Sequence, residues 1–151
     1  MQVFSIAPAG MKPFWVLVPV AVVLVAVVTV LALAVLGSRS TRFEVSPDGL
    51  RVRGGVHGRF VPAALIRADA ARRVDLTQAG ALRPRWRTMG TGLPGYQSGW
   101  FRLANGERAL LHLTDRRKAV HVPTTAGYSL VLSPDDPDAF LSALHSLRSG
   151  E

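Results

Sequence analysis

A long uncharged apolar run lies near the N-terminus of the chain and reads FWVLVPVAVVLVAVVTVLALAVL. The run extends from Phe14 to Leu36, and a helix of these 23 residues is long enough to cross a hydrocarbon core about 30 Å thick. Its many valines would suit a buried strand, but strands of small domains are much shorter. The run therefore predicts a transmembrane helix over 14–36, preceded by a short segment, 1–13.

Two residues of the run fit this prediction. Trp15 stands where an interfacial anchor is expected, and Pro19 falls in the first turns, where a lost hydrogen bond is tolerated. A cleavable signal peptide is the alternative, because Ala32 and Ala34 form an A-x-A pattern. The run is longer than the roughly 7–15 apolar residues of a signal peptide, so a retained span is favoured.

Basic residues flank the run unequally. Lys12 is the single charged residue before it, whereas Arg39, Arg42, Arg51 and Arg53 follow it. Because basic flanking segments tend to stay in the cytoplasm, this asymmetry predicts a single-pass protein of the inner (plasma) membrane with a cytoplasmic C-terminal domain.

The chain beyond residue 36 is basic, with 17 Lys and Arg residues against 10 Asp and Glu residues. A basic excess favours anionic lipid headgroups, nucleic acid or acidic protein surfaces, and it does not fix the fold. The sequence has no cysteine, which excludes disulfides, thiolate zinc sites and thiol catalysis.

Short alternating runs broken by turn residues follow a connector at 37–41. They predict a mainly β domain over 42–148 and a tail at 149–151. The first part of this β domain is predicted to form a hairpin around the turn SPDG, followed by a third short strand, VHGRFVP, at 56–62. Residues 63–76 mix helix formers with a period-two pattern, and we interpret them as a strand ending near Leu76.

A second hairpin is predicted in WFRLANGERALLHLT, around Asn105-Gly106. A two-residue turn would place Phe101 opposite Leu110, whereas a three-residue loop with a left-handed Gly106 places Phe101 opposite Ala109. The second register is favoured, because it gathers five apolar residues on one face: Phe101, Leu103, Ala109, Leu111 and Leu113.

The remaining chain predicts two more strands and a helix. AVHVP follows the turn DRRK and is expected to pair with the preceding strand, with Leu113 opposite Val120; YSLVL is the last strand. Asp136 is expected to cap a helix that begins at Pro137 and has an apolar stripe of Phe140, Leu141, Leu144 and Leu147. About seven strands and one closing helix result.

The order of these motifs resembles a known family. The segments SPDGLRV, GRFVP, TGLPGYQSGWFRL, NG, LLHLT and YSLVLSPDDPDAF, after a membrane span, are similar to the small membrane-anchored bacterial proteins with a pleckstrin-homology-like (PH-like) domain. The resemblance covers roughly Thr41 to Leu147. It implies two nearly orthogonal sheets, seven strands in all, closed by a C-terminal helix, and it carries over no reaction or ligand.

The stretch GTGLPG, Gly90 to Gly95, matches the pattern G-x-G-x-x-G. A dinucleotide loop follows an apolar strand and opens a helix, whereas here RPRWRTM precedes the glycines and a strand follows them. The stretch is therefore interpreted as part of a long connection over 83–100. This loop combines cations with aromatics and is a candidate for headgroup or partner contact through Arg85, Trp86, Arg87, Tyr96 and Trp100. The alternative is a solvated loop whose aromatic rings only cover the core.

A second candidate contact is electrostatic. Arg51 and Arg53 share one strand face, with Arg42 and Arg59 expected nearby, while Arg39 follows the span. An anionic inner leaflet attracts such cations by about 1 kcal/mol each. The alternative is an ordinary solvated strand face.

Catalytic, cofactor and metal sites are not expected. The predicted pairing sets His112 opposite His121 on an outer face, but zinc needs three or four ligands. Ser98 has no Asp or His partner suggested by spacing.

We therefore expect a membrane-anchored binding and scaffolding module that contacts another membrane protein or the anionic leaflet of the lipid bilayer. The alternative is an accessory subunit of a transport or envelope-synthesis complex that acts through its transmembrane helix. Self-association into a homo-oligomer stays open. An enzyme ranks lower, and nucleic acid is not an expected partner, because the cations are scattered along strands and no recognition helix is evident.

Overall fold

A computed structural model describes residues 10, 14–39, 41–54 and 57–147. The chain divides into two units, Met1–Val35 and Leu36–Glu151. Except for Gly10, the predicted N-terminal segment 1–13 lies outside the described residues, as does the predicted tail at 149–151.

The apolar run forms one helix, α1 (Phe14–Arg39), which extends three residues beyond the predicted end. The helical interpretation is confirmed. Within the described residues, α1 is the one helix long and apolar enough to cross a membrane, with a mean hydropathy of 3.1 over Phe14–Leu33. Length and composition of this kind also fit a signal sequence near an N-terminus.

The second unit is mainly β, and its described residues form two sheets. The three-stranded sheet has the order β1-β2-β3 and the six-stranded sheet has the order β4-β8-β9-β7-β6-β5. The strands are β1 (Arg42–Ser46), β2 (Gly49–Arg53), β3 (Arg59–Pro62), β4 (Arg72–Val74), β5 (Pro84–Leu93), β6 (Tyr96–Leu103), β7 (Arg108–Leu113), β8 (Ala119–Pro123) and β9 (Ser129–Leu132). The predicted PH-like fold is confirmed as a sandwich-like arrangement and not a closed barrel, with nine strands among the described residues in place of about seven.

The first hairpin has the predicted form. In the β1–β2 pair, Phe43 lies opposite Val52 and Val45 lies opposite Leu50. The third strand is confirmed as β3, which begins at Arg59; of the predicted range, Val56 lies outside the described residues and residues 57 and 58 are not part of the strand.

The predicted strand over 63–76 is wrong. Two 3-10 turns occupy Ala63–Leu65 and Ala68–Ala70, and only the short β4 follows. This segment connects the two sheets, and its backbone bonds to the end of β8, where Arg67 N donates to Pro123 O at 2.9 Å. A crossing between sheets needs changes of direction, which the 3-10 turns supply.

The register predicted for the β6–β7 hairpin is confirmed. Phe101 lies opposite Ala109, and Gly106 has a φ of +86°. All five apolar residues predicted for this face are buried in one cluster.

The predicted direct pairing of β7 with β8 is wrong, because β9 lies between them. It runs parallel to β7 and antiparallel to β8. All four residues of β9 are buried and three of them are apolar, as expected of a strand in the middle of a sheet that is covered on both faces.

The six-stranded sheet carries a core on each face. One face packs against the three-stranded sheet and against α2 (Pro137–Ser146), through residues such as Leu50, Leu110 and Leu144. The other face is covered by the segment after β4, which contributes Leu76 and Leu82. The predicted helix that begins at Pro137 and is capped by Asp136 is confirmed as α2.

Candidate binding surface

The segment predicted as a long loop over 83–100 is a β-hairpin, so that prediction is wrong. β5 and β6 pair along their length and are joined at Pro94-Gly95. β5 lies at the edge of its sheet and is largely exposed on both faces. Two register shifts, between Pro84 and Trp86 and between Arg87 and Met89, further break its alternation. Exposure and bulges together explain why its sequence lacks the pattern of a core strand.

The glycines of GTGLPG serve this hairpin. Gly90 lies in β5 directly opposite Gly99 of β6, and a side chain at either position would collide with the backbone of the other strand. β6 begins at Tyr96, directly after the turn, where a dinucleotide loop would open a helix.

The register places several large side chains on one face of the hairpin. Trp86 lies opposite Arg102, and Met89 lies opposite Trp100. Residues directly opposite each other in an antiparallel pair share a face. Trp86 and Met89 are 63% and 65% exposed, so the three-stranded sheet does not cover this part of the face.

Arginine side chains stack on the aromatic rings beside them. The guanidinium of Arg59 lies 5.5 Å from the ring centre of Trp100 and 5.2 Å from that of Tyr128, and Arg108 lies 5.2 Å from Trp100. The two rings meet edge to face at 5.1 Å. We call this region the Arg–Trp surface; it comprises Arg59, Trp86, Met89, Trp100, Arg102, Arg108 and Tyr128.

The positive charge of the Arg–Trp surface is not neutralised by carboxylates. Among the described residues, Arg59, Arg102 and Arg108 form no salt bridge. Arg102 Nη1 donates to Gly106 O at 2.8 Å. Stacking holds a guanidinium by its face and leaves its N–H edge available to an anion. The surface therefore combines anion-binding donors with exposed apolar side chains.

Comparison with protein families matches residues 41–148 to the family described as bacterial PH domain. The chain belongs to this family. No curated protein and no solved structure gave a significant match. PH-like domains are generally non-catalytic modules that bind lipids or proteins.

The PH domain carries the other predicted basic residues on a different face. Arg42, Arg51 and Arg53 lie on the outer face of the three-stranded sheet, where Arg53 Nε lies 2.9 Å from Glu44 Oε2. Arg51 stacks over Phe60 at 5.3 Å. The salt bridge reduces the net charge of this face. The predicted residue Arg39 ends α1, and its side chain is outside the described part.

The remaining predicted contact residues are dispersed. Arg87 lies opposite Phe101, on the hairpin face away from Trp100, and Arg85 is exposed at a register shift. Tyr96 and Arg42 line one groove of about 520 Å³ together with Glu44 and Asp135. Because this groove combines opposite charges, it has less preference for an anion than the Arg–Trp surface.

The two histidines predicted to face each other lie on opposite faces of the six-stranded sheet. Because β9 separates their strands, His112 shares a face with Val120, and His121 lies on the other face. Both are buried, with 3% and 6% exposure, so the predicted outer-face pair is wrong. Within the described residues, no three His, Asp or Glu side chains gather in a group able to hold a metal ion.

A serine–histidine contact that spacing did not suggest joins β6 to β7. Ser98 Oγ lies 3.2 Å from His112 Nδ1. Ser98 is only 4% exposed, so a substrate has no access to its hydroxyl in this structure.

Several residues of the Arg–Trp surface were not identified from the sequence. The predicted register of Phe101 and Ala109 already places Trp100, Arg102 and Arg108 together on the opposite face. The sequence alone could therefore have identified these three residues as neighbours. Met89 required the register of β5 across its bulge, while Arg59 and Tyr128 required the packing of one sheet on the other.

Proposed function

We propose that this protein is a membrane-anchored binding module whose Arg–Trp surface binds anionic phospholipid headgroups of its own bilayer. The observation that carries the proposal is the group of arginines stacked on Trp100 and Tyr128 without a carboxylate partner among the described residues.

Anionic headgroups fit the chemistry of this surface. A phosphodiester accepts two N–H bonds from a guanidinium edge, and each cation near an anionic leaflet contributes about 1 kcal/mol. Trp86 and Met89 are exposed beside these arginines. An indole and a thioether suit the boundary between headgroups and acyl chains.

Tethering favours weak binding of this kind. We propose that α1 is retained as a single span, with the PH domain on the cytoplasmic side, as the charge asymmetry predicts. Four residues lie between Leu36 and Thr41, and the five steps from one Cα to the next span at most about 18 Å in a fully extended chain. A short tether raises the effective concentration of the membrane surface near the domain. A few well-placed cations are then sufficient to keep the domain bound to the headgroups.

A single introduced cysteine can test this proposal, because the chain has no cysteine of its own. Met89→Cys carries an environment-sensitive fluorophore, and the full-length protein is placed in nanodiscs that contain a lipid-borne quencher. We expect stronger quenching with phosphatidylglycerol present than in phosphatidylcholine alone, and loss of this difference in the combined variant Arg59→Gln, Arg102→Gln and Arg108→Gln.

A matched control is the same fluorophore at Ser142, which is exposed on α2. Its quenching should not respond to the anionic lipid. Equal quenching at Met89 in both lipid mixtures, or an unchanged response in the triple variant, would show that the surface does not bind headgroups.

A further inference from the structure

The outer edge of β5 is an unused strand edge. In the described part of the chain, β5 is the terminal strand of its sheet and pairs with β6 alone. Among the described residues, no backbone hydrogen bond outside the strand pairing involves residues 84–93. Its ten residues exceed the length of a typical strand, so there is room for another strand to pair.

The hairpin register indicates which backbone groups face outward. Leu93 and Tyr96 flank the two-residue turn, and residues in that position form a hydrogen-bonded pair. Bonded and non-bonded pairs alternate along an antiparallel ladder. Gly92 and Gly90 then direct their N–H and C=O groups away from β6. The regular stretch from Met89 to Leu93, beyond the bulges, is therefore the part able to accept a strand.

The two faces of this stretch differ in chemistry. Met89, Thr91 and Leu93 share the face of the Arg–Trp surface. On the opposite face, the side chain of Arg87 lies beside Gly92, 3.6 Å from where a Cβ would be. A strand added here would place alternate side chains beside Met89 and beside the Arg87 guanidinium.

Charge identifies the kind of partner. The sequence has no acidic residue between Asp75 and Glu107, and Arg85 and Arg87 are exposed on β5 itself. Pairing with β5 of a second copy would bring these like charges close together, which is unfavourable. An acidic segment from a different protein is complementary.

We propose that the β5 edge binds an extended segment of a partner protein, in which apolar residues alternate with acidic residues, as an additional antiparallel or parallel strand. Main-chain hydrogen bonds to Gly90 and Gly92 provide affinity, and Arg87 selects the acidic side chains. This site shares Met89 with the Arg–Trp surface, but its backbone hydrogen bonds and its contact with Arg87 are not used in headgroup binding.

Peptide binding to the full-length protein tests this proposal. The protein is placed in nanodiscs of phosphatidylcholine, which removes competition from anionic lipid. One labelled peptide alternates Val and Glu, and the other alternates Val and Lys. We expect the Glu peptide to bind more tightly by about tenfold or more in fluorescence anisotropy. Equal affinity for both peptides would overturn the proposal.

Substitutions at Gly92 separate backbone pairing from simple charge attraction. Gly92→Pro removes the outward N–H without removing a β5–β6 bond, and proline is tolerated on strand edges. Gly92→Ala keeps the N–H, and its Cβ would make only ordinary contacts. The affinity for the Glu peptide should fall about tenfold in Gly92→Pro and by much less in Gly92→Ala. Unchanged binding by folded Gly92→Pro would contradict strand addition.

Arg87→Glu gives a second measurement that does not depend on the folding of the proline variant. It should reverse the preference, so that the Lys peptide binds more tightly than the Glu peptide. An unchanged preference would overturn the role of Arg87. The headgroup proposal is tested by lipid composition and by other arginines, so either proposal can fail while the other survives.

Discussion

Ser98 and His112 lie directly opposite each other on β6 and β7, with Ser98 Oγ 3.2 Å from His112 Nδ1. On the other side of the ring, His112 Nε2 lies 3.4 Å from the carbonyl oxygen of His57. A carbonyl oxygen only accepts, so Nε2 carries the ring proton and Nδ1 accepts from the Ser98 hydroxyl. Both ring nitrogens of the neutral His112 imidazole therefore have a hydrogen-bond partner. The ring links the β2–β3 connection to the six-stranded sheet.

Acid should destabilise the fold through His112, and His121 adds to the effect because burial lowers its pKa as well. Burial lowers the pKa of the His112 imidazole, an effect opposed by the His57 carbonyl. The unfolded chain therefore binds a proton below about pH 6.5 while the folded chain does not. The free energy of unfolding should be flat above this pH and fall below it, down to the lowered pKa of the folded state. Denaturant unfolding of the detergent-solubilised protein across pH measures this.

Ser98→Ala is the matched variant for that measurement. It removes the hydroxyl that donates to Nδ1 and should lower the free energy of unfolding by about 0.5–1.5 kcal/mol. The fall below pH 6.5 should persist, because the buried imidazole remains. If the acid response disappeared with the hydroxyl, our assignment of it to the ring would be wrong.

His121→Leu should stabilise the protein. Neither ring nitrogen of His121 has a hydrogen-bond partner among the described residues, and the nearest carboxylate oxygen, Glu107 Oε2, is 3.7 Å from Nε2. Burial lowers the pKa of His121, although the Glu107 carboxylate acts against this. Replacing an unsatisfied buried polar group by an apolar one should raise the free energy of unfolding by about 1–3 kcal/mol. A stability below that of the parent protein would indicate an unrecognised partner for the ring.

Gly99→Ala should weaken the β5–β6 hairpin. Gly99 has a φ of +126°, and a Cβ there would collide with the backbone around Met89. Strain of this kind costs about 1–3 kcal/mol. Gly92→Ala is the control, because its Cβ meets only ordinary contacts. Thermal unfolding should show a clear loss for the first variant and little change for the second.

Asp136→Ala should lower stability by about 0.5–2 kcal/mol, because Asp136 Oδ1 accepts from Asp138 N at 3.1 Å and from Ala139 N at 3.0 Å at the start of α2. Asp135→Ala should change the unfolding midpoint much less, since the carboxylate of Asp135 does not cap α2. Equal losses in the two variants would show that general charge near the helix, and not the cap, provides the stabilisation.

The parts of the fold that were predicted correctly depend on neighbours in the sequence. The SPDG hairpin, the loop ending at Gly106 and the cap at Asp136 each follow from local turn or helix chemistry. Apart from the β5–β6 hairpin, whose exposure and bulges hide the pattern of a core strand, the errors arose where the outcome depended on distant segments. His112 and His121 were assigned to one face because β8 follows β7 along the chain, whereas β9 pairs between them.

The Arg–Trp surface was likewise predicted in part from local sequence, and the rest of it depends on contacts between distant segments. Its basic and aromatic composition was evident in the sequence, and Trp86 and Trp100 were predicted as contact residues. The stacking of Arg59 on Trp100 and Tyr128 was not predictable, because it joins the edge of one sheet to the other.

Local sequence was sufficient to predict the long apolar helix, the mainly β domain and the hairpins at SPDG and Asn105-Gly106, because each depends on periodicity or backbone conformation within one short segment. Tertiary packing, in contrast, places β5 at an exposed sheet edge and gathers around Trp100 arginines that have no carboxylate partner among the described residues. Strand order and exposure follow from how distant segments together bury apolar surface, and no local pattern specifies that arrangement.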